Sequence, residues 1–303
     1  MNMRSKPMLA LDVQKVKDIN LHDYLASGKI DGFRATVQLN DKLEPEVYTR
    51  SLKVFPNEFV RKTLARSEFL WFDGEIVVGE NFHQASSELR QRNGEPRFIF
   101  HVFDLIVPQV PLETRLEDLN YRMQNLPYHL KNRDKWEVQM LPHCRSLVNE
   151  DGLASITSLY VSLGFEGVCF RKLGSNYLSG RATVNNPVLL KHKEWTISVA
   201  KIVDVLFLKH NRNKPYINEV GATKRSTHAE NMEEDETMLG SFVVIADNFT
   251  DFFSIGSGLT YAQRIEIMKH RESLLGRSVV FKYCPYGSTE RAPRHPVFIG
   301  LTK

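Results

Sequence analysis

Apolar residues along this chain recur with two different periods, and the places where the period changes mark its elements. Residues 35–38 and 69–78 are apolar stretches, the second rich in aromatic and β-branched types, so both are predicted strands. Residues 98–107 are apolar enough for a strand buried on both faces. After Pro111, residues Leu112, Leu116, Leu119, Met123 and Leu126 recur at three or four, which predicts an amphipathic helix opened by that proline. A second helix is expected over 153–163, stopped by Gly164, with a strand returning over 166–171. Helices and strands mix without regular alternation, so the fold class is predicted as α+β and not doubly wound.

The character of the pattern changes after Trp195. Residues 197–208 read as a strand, and 209–236 follow as a polar stretch without an apolar period. Beyond it, 240–246 and 252–255 suggest a hairpin around Asp247-Asn248, and 261–275 a helix stopped by Gly276. Strands at 278–283 and 296–301 close the chain. Short strands with one helix suit a small barrel of the OB type. A length of 303 residues is large for one core, so two domains are expected, 1–195 and 196–303.

Composition narrows the classes. Apolar content of 42% with 25% charged residues is that of an ordinary globular chain. The longest apolar run, 98–111, is interrupted by His101 and Asp104 and is too short to cross a bilayer. The opening residues, Met1 to Pro7, lack the apolar core of a signal peptide, so an intracellular protein without membrane contact is expected. Cys144, Cys169 and Cys284 are widely spaced and lack a CxxC pairing; each is expected to be a small buried hydrophobe. A net charge of +4 permits a polyanionic partner without identifying one.

The sharpest local string is Lys29-Ile30-Asp31-Gly32-Phe33-Arg34, a KxDGxR pattern just before the first strand. A charged turn would explain it alone; its companions point further. Phe72-Asp73-Gly74-Glu75 sets two carboxylates inside an apolar strand, which is costly unless they face a ligand or metal. Phe165-Glu166-Gly167-Val168 sets an acid at the mouth of another. Lys191-His192-Lys193 follows Val188-Leu189-Leu190, and alternation puts both lysines on one strand face.

Taken in this order, the strings resemble the nucleotidyltransferase motifs of the covalent ligase and capping-enzyme superfamily, and most nearly its minimal ATP-dependent DNA ligases. The likeness runs from Lys6-Pro7-Met8-Leu9-Ala10 to Arg294-His295-Pro296-Val297-Phe298-Ile299-Gly300, through Thr49-Arg50, Phe103-Asp104 and Lys224-Arg225-Ser226-Thr227-His228. It implies a nucleotidyltransferase domain of ATP-grasp-like antiparallel sheets with helices, followed by an OB-fold β-barrel. ATP would be the cofactor, with Mg²⁺ that Mn²⁺ can replace, and a monomer would act on nicked duplex DNA.

The resemblance also distributes roles. Lys29 is the implied nucleophile, with Lys191 and Lys193 as catalytic partners. Such an attack needs a neutral amine, so the pKa of Lys29 is expected to be lowered by Arg34, Lys191, Lys193, metal or desolvation. Glu166 is the implied metal carboxylate, with Asp31 acting through water. Phe103 matches the residue stacked on adenine, although a plain core aromatic would look the same. Glu75 matches the ribose ligand, while Arg34, Arg50 and Arg181 match phosphate-binding arginines, the last two also facing DNA. Ser27, Ile30 and Arg294 complete the implied nucleotide contacts.

Two positions depart from the pattern. Ser27 stands where many members carry a glutamate for adenine selection, and Thr302 where an arginine is usual, which leaves Lys303 to orient pyrophosphate. Residues 209–237 resemble a hairpin that closes around nicked DNA and is expected to be flexible when free. Its DNA-binding candidates are Lys209, Arg212, Lys214, Lys224 and Arg225. A GTP-dependent mRNA capping guanylyltransferase, an RNA ligase and an inactive nucleic-acid-binding paralogue are the rival readings. The RHPVFIG ending argues against the RNA ligase, and retention of Lys29, Glu75, Glu166, Lys191 and Lys193 against the inactive paralogue.

Overall fold

The computed structural model describes residues 4–79, 87–146, 152–217 and 223–302. The chain divides into two compact units, one reaching to Lys193 and the other starting at Glu194.

Two sheets build the first unit. The six-stranded sheet joins β3 (Phe33–Leu39), β4 (Pro45–Thr49), β5 (Phe72–Val78), β6 (Phe98–Leu105), β7 (Asn132–Arg133) and β8 (Trp136–Met140) in the order β4-β3-β5-β6-β8-β7. The five-stranded sheet joins β1 (Leu11–Asp12), β2 (Tyr24–Lys29), β9 (Cys144–Arg145), β10 (Gly167–Lys172) and β11 (Leu189–Lys193) in the order β1-β11-β10-β2-β9. Pairing is antiparallel except for β1 with β11 and β6 with β8. The mixed α/β class therefore holds, with sheets that are mainly antiparallel.

Helices cover the outer faces. Helix α1 (Glu58–Leu64) begins at Asn57, whose side chain caps the Val60 amide. Helix α2 (Leu112–Asn125) turns Leu112, Leu116, Leu119 and Met123 into a core with Phe72, Phe98 and Phe100 of the six-stranded sheet. Helix α3 (Leu153–Ser162) lies on the five-stranded sheet, where Tyr24, Ala26, Val168, Phe170 and Leu190 are buried. These are the alternate residues of β2, β10 and β11. The other face of that sheet is left to the chemistry.

Some boundaries moved. Strand β5 starts at Phe72 and not at 69, because Trp71 takes a positive φ of 73° that breaks the extended run. In the second unit, α4 (Tyr261–Lys269) ends six residues short of the expected 275, and a 3₁₀ turn over Arg271–Ser273 leads to Gly276 at φ 82°. The polar stretch after 208 is paired although it has no apolar period. Strand β12 (Thr196–Asn211) and strand β15 (Met232–Ile245) continue as a ribbon through Leu208↔Asp235 to Asn211↔Met232, with β13 (Pro215–Ile217) and β14 (Thr223–Arg225) near its tip. Cross-strand pairs Lys209–Glu234 at 2.8 Å and Arg212–Glu233 at 3.0 Å replace the missing apolar period.

The same two strands continue into a five-stranded sheet with β16 (Phe253–Ile255), β17 (Ser278–Cys284) and β18 (Arg294–Leu301), ordered β16-β15-β12-β17-β18. Its core holds Ile202, Phe242, Ile255 and Phe281. The ladders do not close; one isolated parallel bridge joins Ser257 to Val297 beside the two edge strands. Among the described residues, no helix is long and apolar enough to cross a membrane. Only Cys284 is buried as expected; Cys144 is exposed and Cys169 half-buried, since Cys144 lies in an edge strand and Cys169 faces the cleft described next.

Candidate active site

Strand β2 belongs to the five-stranded sheet and β3 to the six-stranded one, so the Lys29-Ile30-Asp31-Gly32 turn is where the chain crosses between sheets. Gly32 serves that crossing: a Cβ there would overlap the carbonyl oxygen of Ile76. In register, Lys29, Gly167 and Lys193 stand side by side, and Ser27, Cys169 and Lys191 form the next row. Directly opposed residues share a face, so this side of the sheet points at the cleft.

The cleft has a volume of about 200 Å³ and is lined by Lys29, Ile30, Arg34, Arg50, Glu75, Phe103, Arg181 and Lys191. Leu9, Ala10, Gly28, Leu141, Cys169, Arg171 and Leu189 complete the wall. Most predicted nucleotide contacts thus meet in one place. Arg294 lies elsewhere, at the start of β18 in the second unit. Thr302 is tied to Ser278 by backbone and side chain, and Lys303 lies outside the described residues.

Glu166 is buried at the mouth of β10, with its amide bonded to the Lys29 carbonyl at 2.9 Å. Its two oxygens accept hydrogen bonds from the ammonium groups of Lys29 and Lys193. This geometry corrects the expectation of a lowered pKa for Lys29. Burial, the largest single influence, pulls it down, but the charge and hydrogen bond of Glu166, aided by Cys169 and Glu75, outweigh burial and leave it raised. Burial likewise pushes Glu166 up, and the two lysines more than reverse that, holding it below the usual carboxylate range. Lys191 is lowered, by burial first and then by the charges of Lys29 and Lys193. Glu75 is pushed up to about 7, by burial first, against the pull of Arg34 and Lys29.

Phe103 owes its position to a bulge. Asp73 pairs with Asp104 and Gly74 with Val102, so Phe103 is an extra residue without a cross-strand partner. Two guanidinium groups lie over its ring, Arg34 at 4.6 Å and Arg171 at 4.8 Å from the centroid, one from each sheet. Both are held from behind. Arg34 is forked on Asp73 at 2.6 and 2.6 Å, and Asp73 also accepts from the Tyr177 hydroxyl at 2.6 Å. Asp73 therefore anchors an arginine and does not face a ligand, as its place beside Glu75 had suggested.

Arg171 donates to Ser27 Oγ at 3.0 Å and stands 3.9 Å from Asp104. Ser27 is thereby fully covered and is not part of the wall, contrary to its assignment as a nucleotide contact. Arg115, on α2, completes this support with bonds of 2.7 and 3.1 Å to Asp104. Arg171 was missed in the sequence, although Gly167, Cys169 and Arg171 alternate on the strand that follows Glu166.

Asp31 sits in the Lys29 turn, outside the wall. The described residues contain no group of three or more His, Cys, Asp or Glu that could hold a metal. Of the hairpin cations, Lys209 and Arg212 are paired with acids as above, and Arg225 donates to the Asn213 carbonyl. Lys214 and Lys224 are exposed.

A lysine amine at the floor of a cleft, with cations and carboxylates brought by separate strands, is an arrangement for attack on a phosphate centre. Solved structures share the fold. A Lig E DNA ligase matches with a TM-score of 0.69 at 21% identity, covering 99% of this chain and 100% of that one. The chlorella virus DNA ligase-adenylate matches with a TM-score of 0.54 at 27% identity, covering 99% and 98%. No curated protein sequence matches the chain. The family model described as the ATP dependent DNA ligase domain matches residues 7–193, which include every strand that lines the cleft, and the chain therefore belongs to the ATP-dependent DNA ligases.

Proposed function

We propose that the chain seals 3′-hydroxyl/5′-phosphate nicks in duplex DNA as an intracellular monomer, with Lys29 as the adenylated residue. The observation that carries this reading is the convergence of Lys29, Glu75, Phe103, Arg171 and Lys191 on one cleft from five strands. The amine of Lys29 forms a P–N bond to the α-phosphorus of ATP as the α–β bridging P–O bond breaks, and pyrophosphate leaves with that electron pair. AMP then passes to the 5′-phosphate of the nick, and the 3′-hydroxyl displaces it. Positioning and charge stabilisation do most of the work in such transfers.

A divalent ion fits the donors at hand. Glu166, with Asp31 in the adjacent turn acting through water, offers the one or two carboxylates that Mg²⁺ or Mn²⁺ takes alongside substrate phosphates. Bound there, it would supply positive charge to offset the phosphates. With Glu166 so engaged, its hold on Lys29 would weaken, and burial together with the nearby charges of Lys191 and Lys193 would favour the neutral amine against the remaining pull of Cys169 and Glu75. Phe103 presents its ring to the adenine and Glu75 accepts from the ribose hydroxyls. Arg34, Arg50 and Arg181 face the phosphates, Arg50 and Arg181 also the nick, and Ile30 packs against the nucleotide. Arg294, the remaining nucleotide-contact candidate, belongs to the second unit.

Residues 196–303 are best read as an OB-fold barrel. Support comes from the order of pairing, in which the first strand joins the second and fourth, the third joins the second, and the fifth joins the fourth. The parallel Ser257–Val297 bridge and the helix between third and fourth strands agree with it. The ribbon over 209–237 is the DNA clamp in this reading, with Lys209, Arg212, Lys214, Lys224 and Arg225 on phosphates. Incubation with labelled ATP or GTP and magnesium tests the core of the proposal: label from ATP should stay on the native chain and be absent from Lys29→Ala. An adduct persisting in that variant, or formed only from GTP, would overturn it.

A further inference from the structure

The lysines at 191 and 193 face the cleft, and the residue between them points the other way, onto α3. His192 is engaged there on both ring nitrogens. Its Nδ1 lies 2.8 Å from Thr157 Oγ1, and its Nε2 lies 3.4 Å from the Gln14 side-chain amide nitrogen. The Thr157 hydroxyl has one proton, and that proton goes to the Leu153 carbonyl at 2.6 Å. Thr157 can therefore only accept from His192, which fixes the ring proton on Nδ1 and leaves Nε2 to accept from Gln14. The backbone of His192 is equally constrained, because a Cβ at Gly167 would overlap its carbonyl oxygen. Thr157 is buried, so its half of the brace is shielded from water, while the Gln14 contact is exposed.

We infer that His192 is a positioning residue for the adenylation step: braced by Thr157 and Gln14, it sets the level and tilt at which Lys191 and Lys193 enter the cleft. The inference deepens the ligase reading and rests on Lys29 as the adenylated residue. A strand end free to twist would swing both ammonium groups together, since they share one face and one short strand. Phosphoryl transfer is sensitive to such displacements, and a shift of about 1 Å can cost up to about a hundredfold.

The test compares adduct formation from labelled ATP and magnesium in single turnover, over a range of ATP, for the native chain, His192→Asn, His192→Leu, Thr157→Val and the double variant His192→Leu/Thr157→Val. Asparagine places an amide N–H where the Nδ1–H stood, so it keeps the Thr157 contact. His192→Leu and Thr157→Val should each slow the saturated rate about tenfold, with the half-saturating ATP concentration moving less than about threefold. His192→Asn should stay within about threefold of native, and the double variant should be no slower than His192→Leu, because both remove one contact. A native rate in His192→Leu, an equal loss in the Asn and Leu variants, or additive losses in the double variant would each overturn the inference. Should His192→Leu fail to fold, the near-isosteric Thr157→Val decides. A native chain that forms no adduct would instead bring down the ligase reading itself.

Discussion

The support behind Phe103 makes a quantitative prediction. Asp104 and Arg115 are both almost wholly buried, at 2% and 1% exposure, and are joined by bonds of 2.7 and 3.1 Å. Arg115 also donates to the carbonyls of Val110 at 2.5 Å and Ser175 at 2.9 Å. Arg115→Met fills most of the volume but strips the carboxylate of its partner. Breaking a buried pair from one side costs roughly 3–5 kcal/mol, because a charge is left without compensation. Asp104 would keep the Leu105 amide at 2.8 Å and Arg171 at 3.9 Å, so the lower end, about 3 kcal/mol, is expected. Asp104→Leu/Arg115→Met removes both charges and should recover stability to within about 1–2 kcal/mol of native. Urea unfolding in a Trp195→Phe background isolates the first unit, whose fluorescence then comes from Trp71 and Trp136. A single variant that loses under about 1 kcal/mol, or a double variant no better than the single, would refute the argument.

Three further outcomes are expected. Glu75 titrates at about 7 in the fold against an ordinary value of 4.5, so its contribution to stability is present below 4.5 and is lost as pH rises through 7. The urea midpoint of the native chain should therefore fall between pH 5.5 and 8.5 by more than that of Glu75→Gln, and parallel curves would show the site to be wrongly described. Gly32→Ala forces a methyl onto the Ile76 carbonyl and should cost about 1–3 kcal/mol while slowing adduct formation; unchanged stability would mean the turn yields freely. Glu233→Gln/Glu234→Gln frees Arg212 and Lys209, which should tighten binding of nicked duplex several-fold at low salt and steepen its salt dependence, measured by fluorescence anisotropy. Identical salt curves would show that these cations do not meet phosphate.

Much of the cleft could be read from the chain because its residues lie on strands with strong apolar alternation. Lys29, Glu75 and Lys191 line the cleft from strands β2, β5 and β11. What alternation cannot carry is register, and the misjudged residues depend on it. Glu166 faces Lys29 and Lys193 only because β2, β10 and β11 stand level, which fixes an ion pair and reverses the expected shift of the lysine. The aim of Phe103 comes from a bulge, which leaves no mark in a periodic pattern. Ser27 is on the cleft-facing side, yet an arginine from the neighbouring strand covers it. The ribbon after Leu208 could be expected only from the resemblance to a hairpin, because charges on both its faces leave no apolar stripe to announce the strands.

The two sheets of the first unit are nested in the chain. Every strand of the six-stranded sheet falls between Phe33 and Met140, as one excursion inside the five-stranded sheet, whose own strands begin at Leu11 and finish at Lys193. During synthesis the excursion can pack while its host sheet still lacks two central strands. Lys29 is made early and waits on the ribosome for Glu166 and Lys193, more than a hundred residues away, so contacts of long sequence separation set the last step of assembly. A chain truncated between residues 30 and 165 would hold Lys29 without Glu166, Lys191 or Lys193, and so would lack the assembled cleft.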